Sequence, residues 1–347
     1  MVWVLSIGPD RHFKWLESAE SRQVKNYLFG EAGDRLPEAQ AHWSAMRGAI
    51  ETVGDEDLTM EFLRLACCVL YGATRERDVM DRVESNARGK GEAIRLLSFF
   101  GELSTDYAAI LNPDHPKWNG YDESVMKSVE IIKGLGVTQI RPLMLSIARH
   151  FAPAHTTNAF RRMLAWSIRF LIVGGRGGKL DEGYARLANE IHKDVIKSDT
   201  DLVEAARSFV PSDAQFTGAF ETARVSVSRL ARYYLRALEL TARGEANPEF
   251  IPNDGLAINL EHVLALGDAD RQSVETHGQR LGNLALLQAD KNSQIGNADF
   301  PTKRAVYAQS SFLLTSQIGE LLSWGVLEIE QRQKTLAGLA VKTWPLD

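Results

Sequence analysis

The chain has 347 residues, 44% hydrophobic and 24% charged, with a formal net charge of -5. That length allows two domains, the composition excludes a disordered chain, and the net acidity excludes indiscriminate binding of nucleic acid by the whole surface. The apolar runs 62–73 and 163–175 are too short or too interrupted by arginine to span a bilayer, and no basic segment precedes a cleavage site at the N-terminus, so the expected location is the cytoplasm. The two cysteines, Cys67 and Cys68, are neighbours in an apolar helical stretch and read as core residues rather than as a disulfide or a zinc pair. Charge is uneven along the chain. Residues 1–140 carry 16 Lys and Arg against 22 Asp and Glu, residues 141–243 carry 16 against 10, and residues 244–347 carry 8 against 13. A phosphate backbone would therefore dock on the central segment.

In chain order, residues 3 to about 50 read as helical, with Phe13, Trp15, Leu16, Val24, Tyr27, Leu28, Trp43 and Met46 as buried positions and a loop over 30–37. A polar break at 52–57 precedes an apolar helix from Thr59 through Tyr71. Residues 76–111 hold at least one more helix, closed by Asn112-Pro113-Asp114-His115-Pro116, where two prolines forbid continuation. Helices over 122–133, 139–151 and 157–173 follow, the last ending in the glycine cluster 174–178. That cluster follows a helix and lacks the Lys-Ser/Thr of a phosphate-cradling loop, so it reads as a helix C-terminus. Further helices are expected over 180–196 and 199–209, then one long helix over 219–242. On it Arg229, Arg232 and Arg236 share a face at i, i+3 and i+7, which is either a solvated face or a grip on a DNA backbone. Tyr233 and Tyr234 could stack on bases or fill a core. Residues 244–254 read as a linker, which puts a domain boundary near 250.

After the linker the period changes. Asn259-Leu260-Glu261-His262-Val263-Leu264 alternates as a short strand ending in an acid-histidine pair, Leu281-Gly282-Asn283-Leu284-Ala285-Leu286-Leu287 is an apolar strand opened by an asparagine, and Asp290-Lys291-Asn292 opens a helix, with Phe300-Pro301-Thr302-Lys303 following. A carboxylate and an amide oxygen are hard ligands suited to Mg²⁺ or Mn²⁺, and a histidine beside them is free to act as a base. Taken singly, each asparagine reads as a turn or cap residue and the Glu-His pair as a chance dipeptide.

In combination these residues resemble the ββα-metal nuclease finger of the HNH endonucleases, and more narrowly the C-terminal nuclease domain of the GmrSD-type, modification-dependent restriction enzymes. The similarity continues through Tyr307, Ser310, Thr315, Trp324, Arg332-Gln333, Leu336-Ala337 and Trp344-Pro345, with weaker echoes at Lys25-Asn26-Tyr27-Leu28-Phe29 and over 169–174. The resemblance implies a mainly α protein: a helical array over 1–250 contacting DNA or a partner, followed by a nuclease domain over 251–347 whose ββα finger is embedded in helices. It implies a DNA endonuclease of a phage-defence or restriction system dependent on Mg²⁺ or Mn²⁺. His262 matches the general base, Asn283 the asparagine that fixes the loop and orients that base, and Glu261 and Asn292 the metal ligands. Lys303 and Arg304 would lie near a phosphate or on a solvated face, while His277 reads as a surface histidine. Alanine at position 265 replaces the proline usual after the Glu-His pair, which bears on loop rigidity. The larger relatives carry a nucleotide-binding domain with an Asp-Gly-Gln-Gln-Arg type motif. The chain lacks that motif, so it is expected to be either half of a split system or a C-terminal fragment served by a separate sensor. The competing expectation is a helical DNA- or partner-binding module carrying an inactive finger.

Overall fold

The computed structural model describes residues 18–54, 58–174, 177–251, 258–268, 270–296 and 298–347. Its regular structure is helical apart from one two-stranded antiparallel sheet among these residues, so the fold is mainly α with a small ββα finger. The chain forms two compact units, one built from 1–119, 141–150 and 184–195, the other from 120–140, 151–183 and 196–347. The boundary expected near 250 thus falls inside the second unit. Phe13, Trp15, Leu16 and part of the linker lie outside the described residues.

In the first unit the helix Thr59–Tyr71 is buried along most of its length, because its sequence offers apolar residues on nearly every side. Phe62 packs its ring against Phe100 and Tyr107 of the helix Lys90–Leu111. Cys67 and Cys68 are free and buried, as expected, and burial pushes the Cys67 thiol up to about 12. The amide nitrogen of Asn189 donates to the carbonyls of Val69 and Leu70, satisfying the open end of that helix. In place of the expected loop over 30–37 there is a single 3₁₀ turn, Gly33–Arg35, and the helix Leu36–Glu51 starts at once. Pro37 sits in its first turn, where a missing N–H costs nothing.

His150 and His192 meet at the edge of this unit, ring nitrogens 3.2 Å apart. Desolvation, with the neighbouring histidine next in effect, pushes His150 down to about 4. A histidine held neutral in the fold but protonated below about pH 6.5 when unfolded stabilises fully only above about pH 6.5. That contribution is lost as pH falls from there toward about 4. Stability is therefore expected to drop over this window, modestly because His150 is partly exposed, and His150→Asn should flatten the drop in thermal melts.

The second unit is assembled on the helix Pro153–Val173. Arg169 on it is fully buried, which a guanidinium tolerates only when every donor finds a partner. Its Nε donates to the Trp344 carbonyl at 2.9 Å, Nη1 to the Pro211 carbonyl at 2.9 Å and Nη2 to Asp213 Oδ1 at 2.6 Å, and its plane covers the Phe216 ring. One arginine thus ties the C-terminal segment to the start of the helix Asp213–Phe220.

The long helix expected over 219–242 is two helices, Asp213–Phe220 and Ser228–Ala242. Between them Arg224 forms a bridge with Arg280, and the Val225 amide donates to the Gln279 carbonyl at 2.8 Å. This non-local backbone pairing outweighs the helical tendency of a segment rich in valine and serine.

β1 (Ile258–His262) pairs antiparallel with β2 (Leu284–Gln288), His262 opposite Leu284 and Glu261 opposite Ala285. Leu284 to Leu287 are all buried, because both faces of the hairpin are covered. Ala285 and Leu287 face a core made with Val263, Ile295, Tyr307 and Ile318, while Leu284 and Leu286 alternate to the other face. The finger helix Ala289–Ile295 follows β2 directly and packs on both strands.

Candidate functional site

Asn283, in the 3₁₀ turn that leads into β2, is completely buried and uses its whole amide. Its Oδ1 accepts from the Leu264 amide at 2.8 Å and from Trp324 Nε1 at 3.1 Å. Its Nδ2 donates to the carbonyls of Leu264 at 3.0 Å and Gly278 at 3.1 Å. The residues that follow His262 are thereby pinned, although residue 265 is alanine. Its two acceptor bonds use both lone pairs of Oδ1 and leave none for a metal.

The same turn is clamped from the other side. Arg332 Nη1 donates to the carbonyls of Leu281, Gly282 and Leu284, and Gln333 Oε1 accepts from the Gly282 amide. Burial pushes Arg332 down to about 10. A side chain at Gly282 would run into the Ile329 carbonyl, so only glycine lets the turn approach the helix Val326–Thr343 this closely.

His262 ends β1 half-buried. Desolvation lowers its imidazole below the usual range, opposed by a hydrogen bond with the Gln279 side chain and by the charge of Glu261. Its Nε2 is buried and has no hydrogen-bond partner among the described residues. A neutral imidazole with one nitrogen held and the other unoccupied is the form a general base requires.

Glu261, one residue earlier, points by strand alternation to the face that carries Ala285. There it is buried and receives Lys303 Nζ at 2.5 Å and the Tyr307 hydroxyl at 3.2 Å, both on Oε1. Lys303 Nζ also donates to the His262 carbonyl at 3.0 Å. The expectation that Lys303 meets a phosphate is therefore corrected: its side chain is 1% exposed. The reason is the i, i+4 pair Lys303 and Tyr307, which turns this face of the helix Phe300–Ala308 inward against β1. Burial and the charge of Glu261 keep the Tyr307 hydroxyl protonated. Arg304, on the next face, is half-buried and donates to the Gly319 carbonyl at 3.1 Å.

Asn292 lies on the finger helix with its Oδ1 buried and without a hydrogen-bond partner among the described residues. Among the described residues no group of three or more His, Cys, Asp or Glu could hold a metal ion. A Mg²⁺ ion does not need one, since it commonly takes one or two protein oxygens and completes its shell with water and phosphate. The orphaned Asn292 Oδ1 and the unused second oxygen of Glu261 fit that requirement as hard donors.

Two further expectations change. Of the arginine stripe only Arg229 is exposed, since Arg232 is half-buried and Arg236 is 7% exposed. The helix Ser228–Ala242 packs this side against the hairpin and the C-terminal helix, and Tyr233 and Tyr234 stack around Trp344 instead of facing bases. His277 is buried, with Nε2 3.2 Å from Glu330. Sequence reasoning gave no role to Tyr307, Gln279 or Trp324, and a tyrosine four residues after Lys303 was the available signal for a shared inward face.

Residues 210–339 match the family model of the GmrSD restriction endonucleases, C-terminal domain. Over this segment, which is less than half of the chain, the sequence is similar to that domain. The GmrSD match begins at the loop before the helix Asp213–Phe220, so it takes in Gln333 and Arg332 with the turn they clamp and every residue of the Glu261 cluster. The family is one of restriction endonucleases, enzymes whose substrate is DNA. No helix among the described residues is long and apolar enough to cross a membrane. No curated protein matches the chain.

Proposed function

We propose that the chain is an HNH-type, divalent-metal-dependent DNA endonuclease of a restriction or phage-defence system, with catalysis confined to 251–347 and the helical region before it supplying DNA or partner contacts. The observation that carries this reading is the pair of buried atoms without a partner among the described residues, His262 Nε2 on β1 and Asn292 Oδ1 on the helix of a ββα finger whose loop Asn283 locks.

The chemistry divides among the residues. His262 takes the proton of the attacking water on Nε2, while Gln279 holds the ring from its other side. Asn283 keeps the backbone after His262 fixed, so that the imidazole does not have to be ordered at the moment of reaction. Glu261 and Asn292 would hold Mg²⁺ or Mn²⁺, which when bound neutralises charge growing on the phosphate and the leaving oxygen. Lys303 cancels the charge of Glu261, and His262 is neutral, so the protein offers little net negative charge to a dication. Metal affinity is therefore expected to be weak until a DNA phosphate adds its own charge.

Nothing in this cluster calls for a nucleotide, and control by nucleotide is assigned to a separate sensor partner. The test is incubation of the purified chain with supercoiled plasmid and Mg²⁺ or Mn²⁺, without nucleotide. Nicked or linear product that disappears with chelator is the expected result. Strict dependence on GTP or ATP would contradict it, and tight DNA binding without cutting at any metal concentration would assign an inactive, DNA-gripping finger instead.

A further inference from the structure

The central segment 141–243 carries the positive excess of the chain, yet the arginine stripe that was to present it turns inward at Arg232 and Arg236. The excess surfaces elsewhere in the same unit. Arg161 and Arg162 of the helix Pro153–Val173 and Lys342 of the helix Val326–Thr343 line a cleft of about 290 Å³, together with Asn158, Glu249 and the backbone around Trp344. Its cations are not equivalent. Arg161 is locked in place, with Nε and Nη2 on Glu249 Oε1 at 3.0 and 2.6 Å, Nη2 also on Asn247 Oδ1 at 2.7 Å, and its plane over the Phe250 ring. Its Nη1 takes no part in these bonds. Arg162 and Lys342 form no ion pair among the described residues.

We propose that this cleft is a phosphate-binding site that takes a backbone phosphate of the DNA away from the position cut at His262. Three cations against the single carboxylate of Glu249 leave it strongly positive, and Glu249 is already spent on orienting Arg161. A pre-oriented guanidinium with a free nitrogen, flanked by a second guanidinium and an ammonium, is the donor set that a tetrahedral oxyanion needs. The volume suits one or two phosphate groups and an attached sugar rather than a large apolar ligand. The proposal rests on DNA being the substrate of the Glu261 and His262 site, and it names a second place where the same strand is held.

Fluorescence anisotropy of a labelled duplex, in chelator so that nothing is cut, measures affinity across a KCl series. Each phosphate contact contributes about 0.9 to the slope of log affinity against log salt. For Arg162→Glu with Lys342→Glu the slope should shrink by about 1.8 and affinity at low salt should fall at least about tenfold. Arg162→Lys should keep both values, and Lys179→Glu, an exposed cation of the same unit outside the cleft, should change neither by a comparable amount. Circular dichroism melts of each variant check folding, and Arg162→Gln provides a milder loss of about 0.9 in slope if the double reversal does not fold. A double variant that folds and binds with an unchanged slope overturns the proposal while leaving the nuclease reading intact. Wild-type chain that binds no duplex at low salt overturns both. A parallel thermal-shift series with inorganic pyrophosphate separates the sources of phosphate. Stabilisation of wild type but not of the double variant, with DNA affinity equal in the two, would give the cleft to a free nucleotide and overturn the DNA assignment.

Discussion

Replacement of His262 by alanine is expected to lower plasmid nicking by about two to four orders of magnitude, the usual contribution of a positioned general base. Fold, metal binding and DNA binding should survive. The imidazole is half-buried, and among the described residues its hydrogen bond is to the Gln279 side chain. A group that acts on the attacking water stabilises the transition state more than the bound substrate, so turnover falls and ground-state affinity does not. Equal losses of nicking and of DNA binding in single-turnover assays would show that His262 serves structure instead.

The other large effect belongs to Asn283. Asn283→Ala removes the partner of the Leu264 amide, of the carbonyls of Leu264 and Gly278 and of the Trp324 ring nitrogen in a largely buried turn, at about 1 kcal/mol apiece. A total near 4 kcal/mol is a large share of the 5–15 kcal/mol that typically holds a domain, and should lower Tm by roughly 10 °C. Asn283→Asp keeps the two acceptor bonds and turns the two donor bonds against carbonyls, so it should fall between. Thermal melts decide between this and a purely catalytic asparagine, whose alanine variant would melt like wild type while losing activity.

The hairpin and its helix were readable because local and tertiary demands agree there. Alternation from Asn259 to Leu264 and the apolar run Leu284 to Leu287 are strand patterns whether or not the rest of the protein is considered. The break between Phe220 and Ser228 was not readable, because its cause is the Val225 amide bonding to the Gln279 carbonyl, a partner more than fifty residues away in sequence. The arginine stripe failed for a related reason. A helical wheel gives the shared face of Arg229, Arg232 and Arg236 but not its direction, and the buried Tyr233, Tyr234 and Glu239 around it turned that face toward the hairpin. Glu239 in particular serves the next element, accepting from the amides of Leu313 and Leu314 at the start of the helix Leu313–Gly319.

The candidate site divides in the same way. His262 ends β1, Asn283 lies in the turn before β2 and Asn292 lies on the following helix, a placement that the local pattern of a short motif carries by itself. The partnership of Glu261 with Lys303 and Tyr307 spans more than forty residues and depends on how the helix Phe300–Ala308 docks on β1. Its consequence is a carboxylate whose charge is already balanced, and this sets how the protein should respond to metal.

Nicking measured across a Mn²⁺ titration for wild type, Asn292→Ala, Glu261→Ala and His262→Ala tests the division between base and ligands most directly. Loss of a ligand should move the curve to higher metal and leave much of the maximum rate recoverable, for Asn292→Ala most cleanly because that side chain bonds nothing else among the described residues. Glu261→Ala should shift in the same direction but recover less, since it also strands the buried Lys303 ammonium. For His262→Ala no metal concentration should restore the rate, with half-saturation unchanged. Rescue of His262→Ala by metal, or an Asn292→Ala curve that overlies wild type, would contradict the assignment of base and ligands to this finger.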